Sequence, residues 1–116
     1  MPINSRTKGL SHERSLCAEF RARGWTKACR NIETNPDAVL GIDILNTDPF
    51  CIQAKRLAQY APITRIFEIP RLPGRIPVLI TTPDASVGPA MVVLPLQDFL
   101  TLISPDSSSP PTKDDF

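Results

Sequence analysis

The chain has 116 residues, 41% hydrophobic and 22% charged, enough for one domain built on one core. A single histidine (His12) and three cysteines with no Cys-x-x-Cys pair argue against zinc fingers, histidine-metal nucleases and a disulfide framework. The formal charge of +1 speaks against a uniformly polycationic nucleic-acid binder, yet residues 1–30 carry a net +5 and the remainder a net −4. Taken alone, that asymmetry is better explained by a solvated helix than by a DNA contact. No leader peptide or membrane-length apolar run is visible, so a cytoplasmic setting, reduced thiols and no membrane partner are expected.

Residues 1–10 read as an extended basic arm. Ser11 is placed to cap a helix that stops near Gly24. On that helix Leu16, Cys17 and Phe20 fall on one side with Glu13 near the middle of the stripe, where a carboxylate is costly without a partner. Residues 31–38 are turn-rich. Two β-type runs follow, 39–45 and 50–55, joined by Asn46-Thr47-Asp48-Pro49. A helical stretch interrupted at Pro62 spans about 57–69, and 71–74 is a loop. A third strand is expected over 76–82 and a fourth over 90–94. Pro95 suits the first position of a last helix through Ile103, whose Leu96, Phe99, Leu100 and Ile103 form one stripe expected to face the core. Residues 104–116 read as a disordered acidic Ser/Pro tail after a single domain over 1–103. The order α-β-β-α-β-β-α describes an α/β (α+β) fold, a mixed sheet of about four strands flanked by helices.

The chemistry-bearing residues cluster on the hairpin. Gln53 and Lys55 lie two apart, so their side chains leave the same strand face, together with Cys51. A hairpin centred on Asp48 sets Asp43 opposite Gln53, which gathers Asp43, Gln53 and Lys55 with Ile42 and Ile44 buried behind them. Carboxylates and an amide carbonyl are the oxygen ligands that Mg²⁺ prefers, and a neighbouring lysine can orient water and stabilise charge on a phosphate. Each residue also has a plainer reading. Asp43 and Lys55 suit a solvated strand face, and Glu13 could pair with Lys8 or Arg14 near the helix start. His12 reads as an exposed first-turn residue, Cys51 as packing, and Arg56, Arg71 and Arg75 as surface.

Asp43-x9-Gln53-Ala54-Lys55, preceded by Glu13 on a helix, resembles the PD-(D/E)XK nuclease superfamily. Gly41-Ile42-Asp43 with Ile52-Gln53-Ala54-Lys55-Arg56 is similar to Mrr-type restriction endonucleases, some of which carry Gln in the usual acidic position. The short chain, with its arm Arg6-Thr7-Lys8-Gly9, is more similar to archaeal and phage Holliday-junction resolvases, and the segment from Ile76 to Leu100 resembles small phage proteins of that kind. The resemblance covers about residues 6–103. It implies a restriction-endonuclease-like core and a Mg²⁺-dependent endonuclease, with Mn²⁺ able to substitute and no small-molecule cofactor. It further implies branched DNA as substrate, a homodimer, and the host cytoplasm if the chain is phage-encoded. By position, Glu13, Asp43 and Gln53 would hold the metal and Lys55 would be the motif lysine. Arg6, Lys8, Arg14, Arg30 and Arg56 would contact DNA. Ile42 replaces the motif proline, and Gln53 removes a negative charge, which lowers metal affinity unless Glu13 compensates. Pro36-Asp37 is a literal Pro-Asp pair, but it precedes the strand, and hairpin geometry favours Asp43. An Mrr-like nuclease on duplex DNA and a non-catalytic DNA-binding module with a degenerate metal site are the alternatives.

Overall fold

The computed structural model describes residues 5–32 and 41–105, with α1 side chains described from Ser11 onward. Pro36-Asp37, most of the expected 31–38 loop, the start of the expected 39–45 strand, and 106–116 lie outside them. The elements are helix α1 (Ser5–Ala22), strands β1 (Cys29–Arg30), β2 (Ile44–Leu45) and β3 (Phe50–Arg56), and a 3₁₀ segment (Ile63–Glu68). Strands β4 (Ile76–Thr82) and β5 (Met91–Val93) and helix α2 (Leu96–Ile103) complete them. The fold is mixed α+β around one five-stranded sheet of order β1-β2-β3-β4-β5. Strands β3 and β4 run parallel and the other neighbours antiparallel. Among the described residues no helix is long and apolar enough to cross a membrane.

Alternation along β3 divides the core between the two sheet faces. Ile52 packs with Ile44, Val78, Ile80 and Cys17 beneath α1, and Leu16 and Phe20 join this layer. Cys51 packs on the opposite face with Leu79, Ile42, Ile66 and Ile69, under the 3₁₀ segment. Ile44, Ile52 and Leu79 are essentially sealed from solvent, each stabilising the fold by roughly 1.5–3 kcal/mol. Beyond Ala22 the chain turns at Gly24 (φ +117°), a left-handed conformation that costs glycine nothing. Trp25 then stacks edge-on against Phe20 and Phe50 and donates its indole N–H to the Asp48 carbonyl (2.7 Å). That contact fastens the β2–β3 turn to the end of α1.

Four expectations give way. The first helix begins at Ser5, so residues 5–10 are helix rather than extended arm. Arg6, Lys8 and Leu10 are good helix formers, and one internal glycine, Gly9, costs only about 1 kcal/mol. His12 consequently sits inside the helix, half-buried, with Nε2 3.1 Å from the Thr82 hydroxyl. The expected 57–69 helix shrinks to the 3₁₀ segment. Pro62 lacks the N–H a longer helix needs, Pro70 disfavours helical backbone at Ile69, and the Ala61 N–H is taken by the Thr81 hydroxyl (2.8 Å). The short strand β1 is additional. Finally, Leu96, Phe99, Leu100 and Ile103 do not face the core; α2 buries none of its residues. Its Asp98 instead accepts two bonds from the Arg71 guanidinium (2.7 and 2.9 Å), which turns the polar side of the helix toward the body.

Gly41 holds a left-handed conformation (φ +91°), and a Cβ there would lie 2.7 Å from the Glu68 carbonyl oxygen. The glycine lets the chain entering Ile42-Asp43 pass directly against the 3₁₀ segment. Gly41→Ala is expected to destabilise the fold by about 1–3 kcal/mol, measured by urea unfolding. Stability equal to the parent chain would contradict this reading.

Candidate metal centre

The β2–β3 register pairs Ile44 with Ile52, as a turn centred on Asp48 requires, but the regular ladder does not continue to the expected Asp43–Gln53 pair. Strand pairing loses its regularity at this point. The Asp43 N–H donates to the Ile52 carbonyl (2.7 Å), while its carboxylate Oδ2 accepts the N–H of Ala54 (2.7 Å). A side-chain oxygen thus takes the place of a ladder carbonyl. The irregularity also explains why Ile42 and Ile44, both buried, pack on opposite sheet faces instead of together behind the site. Asn31 steadies the same segment from β1, donating its backbone N–H to the Asp43 carbonyl (2.8 Å) and Nδ2 to the Ile42 carbonyl (2.6 Å).

Gln53 is 5% exposed, and its Oε1 has no hydrogen-bond partner among the described residues. An amide oxygen sealed from water without a donor costs about 1–3 kcal/mol, a penalty that a ligand would remove. Lys55 stands two residues along the same face, half-buried, and its charge acts on Asp43. Glu13 approaches from the other side. Its helix covers the face opposite Gln53, its carboxylate pairs with Arg30 (3.3 Å), and it feels the charge of Asp43. The structure therefore sets Asp43 within electrostatic reach of Lys55 and of Glu13, the latter already paired with Arg30, while alternation along β3 leaves Gln53 on the face away from α1.

Burial dominates the electrostatics of both acids. It pushes the Asp43 carboxyl above its ordinary value, against the lowering by the Ala54 N–H and the Lys55 charge. Burial likewise raises Glu13; the Arg30 hydrogen bond opposes this and the nearby Asp43 charge adds to it. Two carboxyls that ionise reluctantly, Glu13 feeling the charge of Asp43, are oxygen ligands that a hard divalent cation would stabilise as anions. Among the described residues no three His, Cys, Asp or Glu side chains group as metal ligands, so a cation here would draw on Asp43, the Gln53 amide and further oxygens from Glu13, backbone or water.

The basic residues divide. Arg14 is exposed on α1, while Arg6 and Lys8 lie on its first turns with side chains outside the described set. Arg56 donates to the Pro83 carbonyl and bears on His12, whose pKa is lowered by burial and then by that guanidinium. Arg30, assigned to DNA on sequence, is the partner of Glu13. Arg71 and Arg75 pair with Asp98 and Asp48. Burial raises the Cys17 and Cys51 thiols, which leaves both as protonated packing groups. Sequence reasoning missed Asn31 and the Glu13–Arg30 pair, because both depend on β1, two residues too short to carry a periodic signal. No protein family, curated protein or solved structure matches this chain.

Because burial raises the Asp43 pKa, the folded chain holds that proton more tightly than the unfolded chain does. The stability this gives is fully present below the unfolded value and lost as pH rises through the folded one. Asp43→Asn, still able to accept the Ala54 N–H, abolishes that loss. In urea melts the variant should gain on the parent chain as pH rises above about 4. A gap independent of pH, or one moving the other way, would count against a reluctantly ionised Asp43.

Proposed function

We propose that this chain is a metal-dependent DNA endonuclease of the PD-(D/E)XK kind with a restriction-endonuclease-like core, cutting branched DNA. The observation that carries the reading is the buried Gln53, its Oε1 without a partner among the described residues, two residues along β3 from Lys55, whose charge bears on Asp43. The topology supports it. A helix, three strands joined antiparallel, a short helical crossover and a fourth strand parallel to the third follow the αβββαβ order that the sequence resemblance implies, with the crossover helix reduced to one 3₁₀ segment.

In this reading Asp43 and Gln53 would hold the cation, Mg²⁺ or Mn²⁺, with the Glu13 carboxylate, now paired with Arg30, as a further oxygen ligand. Bound there, a divalent ion would supply Lewis-acid polarisation of the scissile phosphate and a more acidic water. The chain's own part is positional. The Ala54 N–H fixes the Asp43 carboxylate, burial on β3 restrains Gln53, and Lys55 orients the attacking water and offsets charge developing on phosphorus. Arg6, Lys8 and Arg14 on α1, with Arg56 at the end of β3, provide the cationic approach for the DNA backbone. Gln53 in place of an acid weakens the hold on metal, and that substitution is what favours the second reading, a DNA-binding module without catalysis.

Incubating the purified chain with branched and linear duplex DNA in Mg²⁺ or Mn²⁺ separates these readings. Selective cutting of branched DNA is expected, with Asp43→Ala abolishing it and Lys55→Ala slowing it by about 10²–10³. Gln53→Glu should shift activity to lower Mg²⁺ concentration. Cutting of linear duplex alone would favour the Mrr-like alternative. Failure to cut either substrate, with DNA binding unchanged in Asp43→Ala, would leave the non-catalytic module.

A further inference from the structure

The last residues of the two parallel strands lie side by side, Arg56 of β3 in register with Thr82 of β4. Alternation from Ile52 and Ile80 turns both side chains to the face that α1 covers. His12 reaches them from that helix, its Nε2 3.1 Å from the Thr82 hydroxyl, and its ring feels the Arg56 charge. Three elements thus meet at the carboxyl ends of β3 and β4, the end of a parallel pair at which open α/β sheets bind their ligands.

The charges at this place do not balance. Arg23, Arg30, Arg65, Arg71 and Arg75 each meet a carboxylate. Arg14 and Arg21, which pair with none among the described residues, are exposed to water. Arg56 pairs with none of the described carboxylates either, yet it is half-buried. Its Nη1 donates to the Pro83 carbonyl, and its other N–H donors have no partner among the described residues. A guanidinium withdrawn from water without an anion is costly, and an anion would remove that cost. Hydrogen-bonding capacity is left over as well. A neutral imidazole and a hydroxyl carry one N–H and one O–H. In either tautomer one of these is spent between His12 and Thr82, and one remains to give.

We propose that Arg56, His12 and Thr82 form a seat for one phosphate group, occupied by a backbone phosphate of DNA. A charged, acceptor-only oxyanion matches a guanidinium fork with one neutral donor beside it. Placement selects DNA over free phosphate. Arg56 follows Lys55 on β3, and His12 precedes Glu13 on α1. Two elements therefore each carry a residue of the candidate metal centre and, ~3.8 Å along the backbone, a residue of the seat. A strand whose scissile phosphate lies at the metal would bring a neighbouring phosphate here and be held in register by it. His12 and Thr82 make this a fixed contact, where a lone arginine would give only a diffuse attraction. The DNA occupant rests on the nuclease reading; the affinity of the seat for phosphate does not.

His12 is the only histidine, so its ring protons report on the seat by themselves in an NMR spectrum. Inorganic phosphate added to the full chain at fixed pH and ionic strength should shift them saturably, chloride should not, and Arg56→Gln should weaken the response about tenfold. Anisotropy of a labelled branched DNA without divalent metal reads the second arm. The slope of log affinity against log salt should shrink by about 0.9 in Arg56→Gln and keep the parent value in Arg56→Lys, which retains the charge. Thr82→Val should weaken binding about fivefold at the parent slope. Each variant is read with a far-UV circular dichroism spectrum matching the parent chain. A phosphate response in the parent chain, with no DNA binding or with equal slopes in parent and Arg56→Gln, assigns the seat to free phosphate and overturns the DNA occupant. No phosphate response together with equal slopes overturns the seat itself. The predicted slope change in a chain that binds DNA but never cuts it upholds the seat and removes the nuclease reading instead.

Discussion

The hydrogen bond from the Ala54 N–H to the Asp43 carboxylate is the contact on which the candidate site depends. It converts a strand residue into a clamp. By filling a ladder position with a side-chain oxygen it ends regular pairing between β2 and β3, and Ile42 crosses to the opposite sheet face from Ile44. The same bond holds a carboxylate in a partly desolvated position at the start of the inner strand β2, where burial makes ionisation less favourable. Gly41, pressed against the Glu68 carbonyl, and Asn31, bonded to Asp43 and Ile42, hold the segment in that path from either side.

Around that clamp the sheet keeps its two sides distinct. Beneath α1, Ile52, Ile44 and Cys17 close an ordinary apolar layer; beneath the 3₁₀ segment, the layer around Cys51 and Leu79 runs out into Gln53 and then Lys55. The Gln53 amide oxygen, buried without a partner among the described residues, is a cost that folding alone does not require. Glu13 presents the complementary case. Its burial cost is met by Arg30, so its carboxylate is satisfied before any ligand arrives, and a cation would compete with a guanidinium for it.

Much of this was legible in the sequence because it follows from local rules. Period-two alternation placed Cys51, Gln53 and Lys55 on one face, and the turn residues Asn46-Thr47-Asp48-Pro49 fixed the centre that pairs Ile44 with Ile52, though not the irregular step that turns the Asp43 N–H to the Ile52 carbonyl; Asn46 indeed takes the left-handed conformation (φ +63°) its type tolerates. Helical spacing put Cys17, Leu16 and Phe20 on the buried side of α1. What was not legible is non-local. Periodicity in Leu96, Phe99, Leu100 and Ile103 announces an apolar side but not what covers it, and the Arg71–Asp98 pair, 27 residues apart, turned that side outward. The Glu13–Arg30 pair likewise depends on a two-residue strand, and His12 moved from an exposed first turn to the Thr82 hydroxyl because the helix starts six residues earlier than its apparent cap.

The central claim is that Asp43 and Gln53 hold a divalent cation. The most direct measurement is a calorimetric titration of Mn²⁺ into the purified chain near neutral pH, repeated with Asp43→Asn and Gln53→Leu. The account predicts a saturable site in the parent chain, lost or weakened at least about tenfold, ~1.4 kcal/mol, in each folded variant. Absence of saturable binding in the parent chain, or equal binding in all three, would contradict it.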